Sequence, residues 1–257
     1  MKKYYGFRNR LFLPFILLLT LAGCERELSD DVVPATFSTT GDIFTDNFVG
    51  LGNDFYLPFA DSKLDAFSVD NSEGFESRAS YRVDVPNAGD PNGNYAGAIL
   101  RVDGAGRNLT GYDALTFYAK ASQGITLSEV GFGQDFLENK YQVSLTSLAV
   151  GTNWTKYIIP MPDPEKLVNE RGLFWYSDGT EETNGQGYTL WFDEIRFEKL
   201  GTIAHPRPAI LNGENESIDG FVGGATSVEG LSTTFNLGNG QDITTALTPA
   251  YFSFTSS

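Results

Sequence analysis

The stretch from residue 187 to residue 198 constrains the fold of this chain more than any other. It reads Gly-Tyr-Thr-Leu-Trp-Phe-Asp-Glu-Ile-Arg-Phe-Glu, which is aromatic and β-branched for long enough to cross a sheet. Strict alternation places Tyr188, Leu190 and Phe192 on one face, and Thr189, Trp191, Asp193, Ile195 and Phe197 on the other. A strand that is apolar on both faces is typical of the centre of a sheet that is covered on both sides.

The rest of the chain favours an all-β fold. Its 257 residues include 20 Phe, 12 Tyr and 28 Gly, and no long segment has helical periodicity. About nine strands are predicted within residues 35–203, separated by turn segments such as the Asn-rich loop 86–94. This pattern predicts an antiparallel two-sheet sandwich, and among sandwiches the jelly roll is a common architecture of lectin domains.

Charge and the rare residue types exclude several functions. The net charge is −15 at pH 7, so nucleic acid is excluded as a main partner. Cys24 is the only cysteine, which excludes an internal disulfide and a CxxC metal site. His205 is the only histidine and lies in a Pro-rich segment, which argues against a Ser-His-Asp triad and against a zinc site built on histidine.

The N-terminal segment has the features of an export signal. Residues 1–23 combine a basic start with an apolar run that is too short to span a bilayer. They end in Leu21-Ala22-Gly23-Cys24, which resembles a bacterial lipobox and implies lipidation of Cys24. The acidic tether 24–34 resembles the surface-export signals of Bacteroidota lipoproteins, and its alternative interpretation is a solvated spacer. We therefore expect an outer-membrane lipoprotein, exposed at the cell surface and held at the membrane by its lipid anchor.

The main domain is predicted to span residues 35–203, followed by a linker and a second β segment at 204–257. The composition shifts there to Gly, Ser, Thr and Asn, with few charges. This segment is short for a stable sandwich, and we interpret it as a partial Ig-like module. Either it is a small addition to the main domain, or the chain is a piece of a longer protein, which is the interpretation that we favour.

Three segments resemble a known group of domains. Residues 112–120, 154–160 and 191–197 are similar, in sequence and in order, to galactose-binding-like jelly rolls that serve as carbohydrate-binding modules. The tail resembles bacterial Ig-like repeats. The whole chain resembles a glycan-binding surface lipoprotein of a polysaccharide-utilisation system. The resemblance implies capture of a polysaccharide or oligosaccharide, with a β-glucan as the expected ligand and other proteins of such a system as partners.

The same resemblance implies a structural Ca²⁺ held by Asp46 and Asp193. The early motif of that family often has two adjacent acids, whereas here Asn47 follows Asp46. An amide oxygen also binds Ca²⁺. The alternative for Asp193 is hydrogen bonding to turn amides, which satisfies a buried carboxylate without a metal.

Sugar binding requires aromatic platforms beside planar polar groups. From the outward strand faces and the loops near the closing strand we predict a set of ligand-binding residues: Arg82, Asp84, Tyr118, Gln142, Trp175, Tyr176 and Asp178. Further candidates on strands or at strand ends are Arg101, Gln134 and Asp135. The other two tryptophans, Trp154 and Trp191, are predicted to lie in the core because their neighbours are apolar.

The acidic residues do not form a recognisable glycosidase site. Hydrolysis needs two carboxylates at a fixed separation, and Asp193 and Glu194 point to opposite faces of a regular strand. We therefore predict a binding protein and not an enzyme. Two alternatives stay open: a structural or adhesion spacer, and the N-terminal binding part of a longer glycoside hydrolase.

Overall fold

The computed structural model describes residues 37–254, apart from 216, 218, 220–222, 225 and 226. The predicted signal peptide, the acidic tether and the lipidation of Cys24 lie outside the described residues. Among those residues, no helix has the length and apolar character needed to cross a membrane.

The described residues form fifteen strands and no α-helix. The first eight strands are β1 (Asp42–Thr45), β2 (Asn47–Phe48), β3 (Tyr56–Pro58), β4 (Phe67–Asp70), β5 (Ser80–Val85), β6 (Ala96–Arg101), β7 (Ala114–Ala121) and β8 (Ile125–Phe132). The other seven are β9 (Val143–Val150), β10 (Thr155–Pro160), β11 (Gly172–Asp178), β12 (Tyr188–Glu198), β13 (Ala204–Ala209), β14 (Ser232–Asn236) and β15 (Asp242–Leu247). Short 3-10 turns occur at Pro164–Lys166, Glu181–Thr183, Leu211–Gly213 and Pro249–Tyr251.

The first sheet is built around β12, as the sequence predicts. One edge of β12 pairs with β7, which in turn pairs with β10. The other edge is divided between β5 along its first half and β1 along its second half. Strands β4 and β2 extend these two branches, and every pairing is antiparallel. The longest apolar strand therefore has neighbours along both edges.

A bulge in β12 changes the predicted distribution of its side chains. The register against β7 shifts between Asp193 and Arg196, and Glu194 has a φ of +49°. The extra residue moves Ile195 and Phe197 onto the buried side with Phe192, whereas Trp191 stays on the outer side. The predicted grouping of Trp191 with Ile195 and Phe197 is therefore wrong, because strict alternation does not continue through a bulge.

The second sheet includes the C-terminal tail. Its order is β3-β6-β11-β8-β9-β15-β14-β13. Strand β15 pairs with the start of β9, with Ala246 opposite Ser144 and Leu247 opposite Val143. The tail strands thus continue a sheet of the main domain, and the described residues from 37 to 254 belong to one compact unit. The two antiparallel sheets confirm the predicted jelly-roll sandwich, and the Ig-like character of the tail stays a prediction.

The core lies between the two sheets and is largely aromatic. Tyr176 of β11 is fully buried there, and its hydroxyl shares a 3.2 Å hydrogen bond with the hydroxyl of Tyr81. Phe192 packs against Tyr176 with ring centroids 5.7 Å apart. Strands β5 and β7 each turn alternate side chains toward this core, where Tyr81, Val83, Leu115 and Phe117 are buried.

A buried arginine holds the start of the first sheet in place. Arg107 is 1% exposed. Its Nη1 donates to the carbonyl oxygens of Thr40 and Asp42 at 3.0 and 2.6 Å, and its Nη2 donates to the carbonyl of Val49. Burial lowers the pKa of Arg107 to about 10. One side chain therefore binds the segments on both sides of the β1–β2 hairpin.

Candidate functional site

The structure separates the predicted ligand-binding residues onto the two outer faces of the sandwich. Trp175 and Gln142 lie on the outer face of the second sheet. Arg82, Asp84 and Tyr118 lie on the outer face of the first sheet, since their strand neighbours fill the core. The core lies between these faces, so a single ligand cannot contact both groups.

The outer face of the second sheet carries an open groove of about 480 Å³. We call it the Trp175 groove. Its lining combines aromatic, amide and small residues: Phe59, Ala60, Tyr95, Glu129, Gln134, Phe136, Gln142, Trp175 and Ser177. Aromatic rings beside amide groups are the composition expected of a site for an amphipathic ring such as a sugar.

Trp175 lies at the floor of this groove. It is 3% exposed, and its indole N–H donates to the carbonyl of Phe132 at 3.4 Å. The ring of Phe59 packs edge-on against it, with centroids 6.3 Å apart and an interplanar angle of 83°. Trp175 therefore supports the groove from below, and the more accessible rings stand around it.

Two glycines in strand interiors keep the floor of the groove low. A Cβ on Gly131 of β8 would lie 2.0 Å from the carbonyl oxygen of Val143 and 3.0 Å from Nε1 of Trp175. A Cβ on Gly97 of β6 would lie 2.7 Å from the ring of Phe59. Glycine inside a strand often marks a close approach of a ligand or of another group. Gly97 and Gly131 are the sequence signal that points to this groove.

The polar groups of the groove include an acceptor without a partner. Oε1 of Gln134 is buried and has no hydrogen-bond partner among the described residues. A buried acceptor in this state costs free energy until a donor reaches it. Glu129, in contrast, already accepts a 2.7 Å hydrogen bond from Oγ of Ser144. Gln134 therefore lines the groove with an amide whose oxygen is closed to solvent, and Gln142 supplies the second amide of the lining.

The outer face of the first sheet has its own pocket, of about 420 Å³, which we call the Tyr118 pocket. Its lining is mainly charged: Asp46, Phe75, Glu76, Ser77, Thr116, Tyr118, Lys156, Glu194, Arg196 and Glu198. The ring of Tyr118 stacks on the ring of Phe75, with centroids 3.6 Å apart and an interplanar angle of 13°. One face of Tyr118 is therefore covered by the protein itself.

The other aromatic residues on this face are also engaged. Trp154 and Trp191 lie half-buried on the outer side of the sheet, so the prediction that they belong to the core is wrong. Nζ of Lys120 lies between them, 5.6 Å from the ring centroid of Trp154 and 5.0 Å from that of Trp191. It also pairs with Glu73 at 2.9 Å. These cation–π contacts occupy the ring faces that a sugar would need.

Arg82 and Asp84 bind each other. Nε and Nη2 of Arg82 donate to the Asp84 carboxylate at 2.9 to 3.2 Å, and the Thr189 hydroxyl donates to the same carboxylate at 2.9 Å. Arg82 also pairs with Asp70. Such bidentate pairing satisfies most of the hydrogen-bonding capacity of both groups. Arg82 and Asp84 thus form part of a charged cluster, away from the Trp175 groove.

Two further predicted residues are corrected by their burial. Tyr176 lies in the core, because it is on the opposite side of β11 from Trp175. Asp178 is also buried and accepts hydrogen bonds from the amides of Ser128 and Gly179, both at 3.1 Å, and from the Tyr188 hydroxyl. Burial raises the pKa of Asp178. Neither side chain is placed to contact a ligand in either cavity.

The predicted metal ligands Asp46 and Asp193 lie near each other. Asp193 is fully buried and accepts 2.7 Å hydrogen bonds from the amides of Phe75 and Glu194. Burial is the main cause that raises its pKa to about 6, and the charge of Asp46 raises it further. Oδ1 of Asp46 is buried and has no hydrogen-bond partner in the part of the chain that the structure describes.

These observations bear on both interpretations of Asp193. Its amide hydrogen bonds are those of the metal-free alternative. The orphaned oxygen of Asp46 and the repulsion between the two carboxylates are relieved by a cation with oxygen ligands. Among the residues described, no group of three or more His, Cys, Asp or Glu side chains is placed to hold a metal. The pair itself supplies two ligands of suitable chemistry.

Comparison with known proteins yields a family and a set of similar folds. A family model described as carbohydrate binding domain 30 matches residues 38–199. A solved family 30 carbohydrate binding module is 17% identical, with a TM-score of 0.45, and the match covers 62% of this chain and 98% of that chain. No curated protein matches the sequence.

Two modules from Clostridium thermocellum are also similar. The family 30 module of the cellulosomal cellulase Cel9D-Cel44B is 17% identical, with a TM-score of 0.40, and the match covers 64% of this chain and 95% of that chain. The family 11 module of the cellulosomal cellulase Lic26A-Cel5E is 10% identical, with a TM-score of 0.40, and the match covers 64% of this chain and 96% of that chain.

Proposed function

The chain belongs to the carbohydrate binding domain 30 family, and on that premise we propose that it binds a polysaccharide in the Trp175 groove. Residues 38–199 form a non-catalytic carbohydrate-binding domain. The observation that carries the placement is the lining of the groove, where the aromatic residues Phe59, Tyr95 and Phe136 lie beside the amides of Gln134 and Gln142. Rings suit the apolar face of a sugar, and amides suit its hydroxyls.

The contrast between the two outer faces supports this choice. In the Tyr118 pocket and beside it, aromatic faces are covered by Phe75 and Lys120, and the charged groups pair with one another. In the Trp175 groove the floor is kept low by Gly97 and Gly131, and the rim carries exposed aromatic surface. A ligand can therefore enter the Trp175 groove without displacing contacts within the protein.

The ligand that we propose is an internal stretch of a β-glucan. A shallow, open groove accepts a chain that continues beyond it at both ends, whereas a closed pocket would select a chain end. We propose further that lipidation of Cys24 anchors the protein at the outer membrane, facing outward, where it captures polysaccharide for uptake or degradation together with other proteins of a polysaccharide-utilisation system. The lipobox and the acidic tether support this location.

We also propose that Asp46 and Asp193 hold a structural Ca²⁺. The unpartnered oxygen of Asp46 and the raised pKa of Asp193 support it, because a cation relieves both. The ion would stabilise the junction of the β1–β2 turn with the bulge in β12. An unchanged melting temperature of the protein with EDTA and with added Ca²⁺ would contradict the proposal.

The experiment for glycan binding is affinity electrophoresis and calorimetry with the full chain. The panel consists of laminarin, mixed-linkage β-glucan, xyloglucan, xylan, mannan, alginate and pectin. The variant Gln134→Ala removes one of the two amide side chains that line the groove. Its control is Tyr118→Ala on the other face of the sandwich, where the side chain is half-buried like that of Gln134. We expect binding to a β-glucan that is weakened in Gln134→Ala and retained in Tyr118→Ala.

Two results would count against the proposal. Loss of binding in Tyr118→Ala, with Gln134→Ala unaffected, would move the site to the first sheet. A folded protein that binds none of the seven polysaccharides would refute polysaccharide binding by this chain and support the spacer interpretation.

A further inference from the structure

We propose that the loop between β8 and β9, residues 133–142, presents Phe136 as a rigid aromatic wall that contacts the ligand, and that Asn139 is the residue that positions it. This inference rests on the proposed binding of a polysaccharide in the Trp175 groove. Phe136 would contact the C–H face of a pyranose ring of the ligand.

Phe136 stands at the rim of the groove and is open to solvent. It is 45% exposed, and its ring lies 5.5 Å from that of Phe59 at an interplanar angle of 78°. Phe59 in turn packs edge-on against Trp175. The rings therefore provide surfaces at steep angles to each other, and Phe136 supplies the exposed one.

The backbone of Phe136 adopts a conformation that a bulky residue rarely takes. Its φ is +59°, in the left-handed region, where a Cβ is crowded by the backbone. Such a conformation costs free energy and persists only where the surrounding structure imposes it. The bonds that impose it here are identifiable.

Asp135 and Asn139 bind each other's backbone in a reciprocal arrangement. Oδ1 of Asn139 accepts from the amides of Asp135 and Phe136 at 2.9 and 3.1 Å. Oδ1 of Asp135 accepts from the amides of Leu137 and Asn139 at 2.9 and 3.2 Å. Four backbone amides around Phe136 are thus satisfied by two side chains, which fixes the direction of its ring.

Both ends of the loop are fixed to the rest of the molecule. Nη1 of Arg101 on β6 donates to the carbonyl of Asp135 at 2.8 Å. At the other end Thr248 follows β15, and its hydroxyl donates to the carbonyl of Lys140 at 2.6 Å. The amide of Thr248 donates to the carbonyl of Gln142 at 3.3 Å. The loop is therefore held by β6 on one side and by the tail on the other.

The neighbouring residue provides a matched control. Leu137 is 62% exposed on the same loop, but it lines a separate cavity with Glu170 and Arg171 and does not line the Trp175 groove. If removal of any exposed apolar side chain from the loop weakened binding, Phe136→Ala and Leu137→Ala would both bind more weakly. If Phe136 contacts the ligand, only Phe136→Ala binds more weakly.

The test compares five variants of the full chain by calorimetry, with whichever of the seven polysaccharides the wild-type protein binds most tightly. The single variants are Phe136→Ala, Leu137→Ala, Asn139→Gly and Asn139→Asp, and the fifth combines Phe136→Ala with Asn139→Gly. Glycine tolerates the left-handed backbone at position 139, whose φ is +49°, and removes the side chain with its acceptor oxygen. Aspartate keeps an acceptor oxygen at the same place. Melting temperatures show that each variant is folded.

We expect Phe136→Ala to weaken binding about tenfold, the amount that corresponds to loss of one aromatic contact of roughly 1.4 kcal/mol. Leu137→Ala and Asn139→Asp should bind like the wild type. Asn139→Gly should weaken binding, and its effect should vanish in the Phe136→Ala background, because Asn139 acts through Phe136.

The outcomes distinguish this inference from the function on which it rests. If the wild type binds a polysaccharide and Phe136→Ala binds it equally well, the inference is overturned and the proposed function stands. If Asn139→Gly weakens binding to the same extent with and without Phe136, the positioning role is overturned. If the wild type binds none of the seven, the proposed function is refuted, and this inference with it.

Discussion

The buried guanidinium of Arg107 gives the sharpest prediction for stability. Arg107→Met keeps an apolar stem in the same space and removes three charge-assisted hydrogen bonds to backbone carbonyls. Hydrogen bonds to charged groups contribute roughly 1.5–3 kcal/mol each, so their loss costs about 4–9 kcal/mol. The carbonyls of Thr40, Asp42 and Val49 would then need other donors.

Part of this loss is offset because the variant no longer buries a charge. Burial lowers the pKa of Arg107 to about 10, and this shift corresponds to about 3 kcal/mol of unfavourable free energy. The net destabilisation is therefore a few kcal/mol, and we take about 3 kcal/mol as the central expectation. For a domain of this size that lowers the melting temperature by about 6–12 °C.

The assay is urea unfolding of the full chain, together with amide hydrogen exchange. The exchange measurement is local, because the amide of Val49 donates to the carbonyl of Ile43 within the hairpin that Arg107 holds. The control is Arg207→Met, which removes an exposed pair with Asp242 and should change stability by less than about 1 kcal/mol. If Arg107→Met costs no more than Arg207→Met, or if protection of Val49 is unchanged, the reasoning about Arg107 is refuted.

Three more predictions follow from the site and its surroundings. Gly131→Ala should destabilise the fold in urea unfolding and weaken polysaccharide binding in affinity gels, because its Cβ would meet the Val143 carbonyl and the Trp175 indole; unchanged values in both assays would contradict the account of the groove floor. The pKa of Asp193 is raised above its unfolded value, so the protonated carboxyl stabilises the folded state. As pH rises from about 4 to about 6, the wild type in EDTA should therefore lose about 3 kcal/mol of stability, whereas Asp193→Asn should not. Parallel urea-unfolding profiles of the two proteins over this pH range would refute the prediction. Asp178→Ala should lower the melting temperature without a specific effect on binding measured well below it, because Asp178 satisfies buried amides; a folded variant that no longer binds would place Asp178 in the site after all.

Local patterns in the sequence predicted the sheets better than their connections. Strands β5 and β7 keep a regular alternation, because a strand with one face in the core repeats every two residues. The bulge at Glu194 interrupts that repeat in β12, and none of the residue types around Glu194 predicts a bulge. The pairing of β15 with β9 joins residues about 100 positions apart in the chain, which local patterns do not encode.

Contact with a ligand stays a prediction for every residue of the predicted site. The sequence does place Trp175 and Gln142 in one set, and the structure places both in one groove. It could not tell which strands share a sheet, so residues of the opposite face, such as Tyr118, entered the same prediction. Aromatic residues in apolar surroundings were also ranked wrongly: Trp175 is more buried than Trp154 or Trp191, because its groove is lined by other rings.

The position of the tail in the second sheet has a consequence for how this domain is cut from its chain. The family match ends at residue 199, and a protein stopped there would leave the start of β9 without its partner strand β15. Unpaired strand edges are templates for aggregation. Among the described strands, β13 forms this edge of the sheet, and its Pro206 and Pro208 have no amide hydrogen to offer to another molecule. The tail thus gives the sheet an edge that discourages self-association. A protein that ends at residue 199 would precipitate because the edge of β9 is exposed, whether or not it binds a ligand.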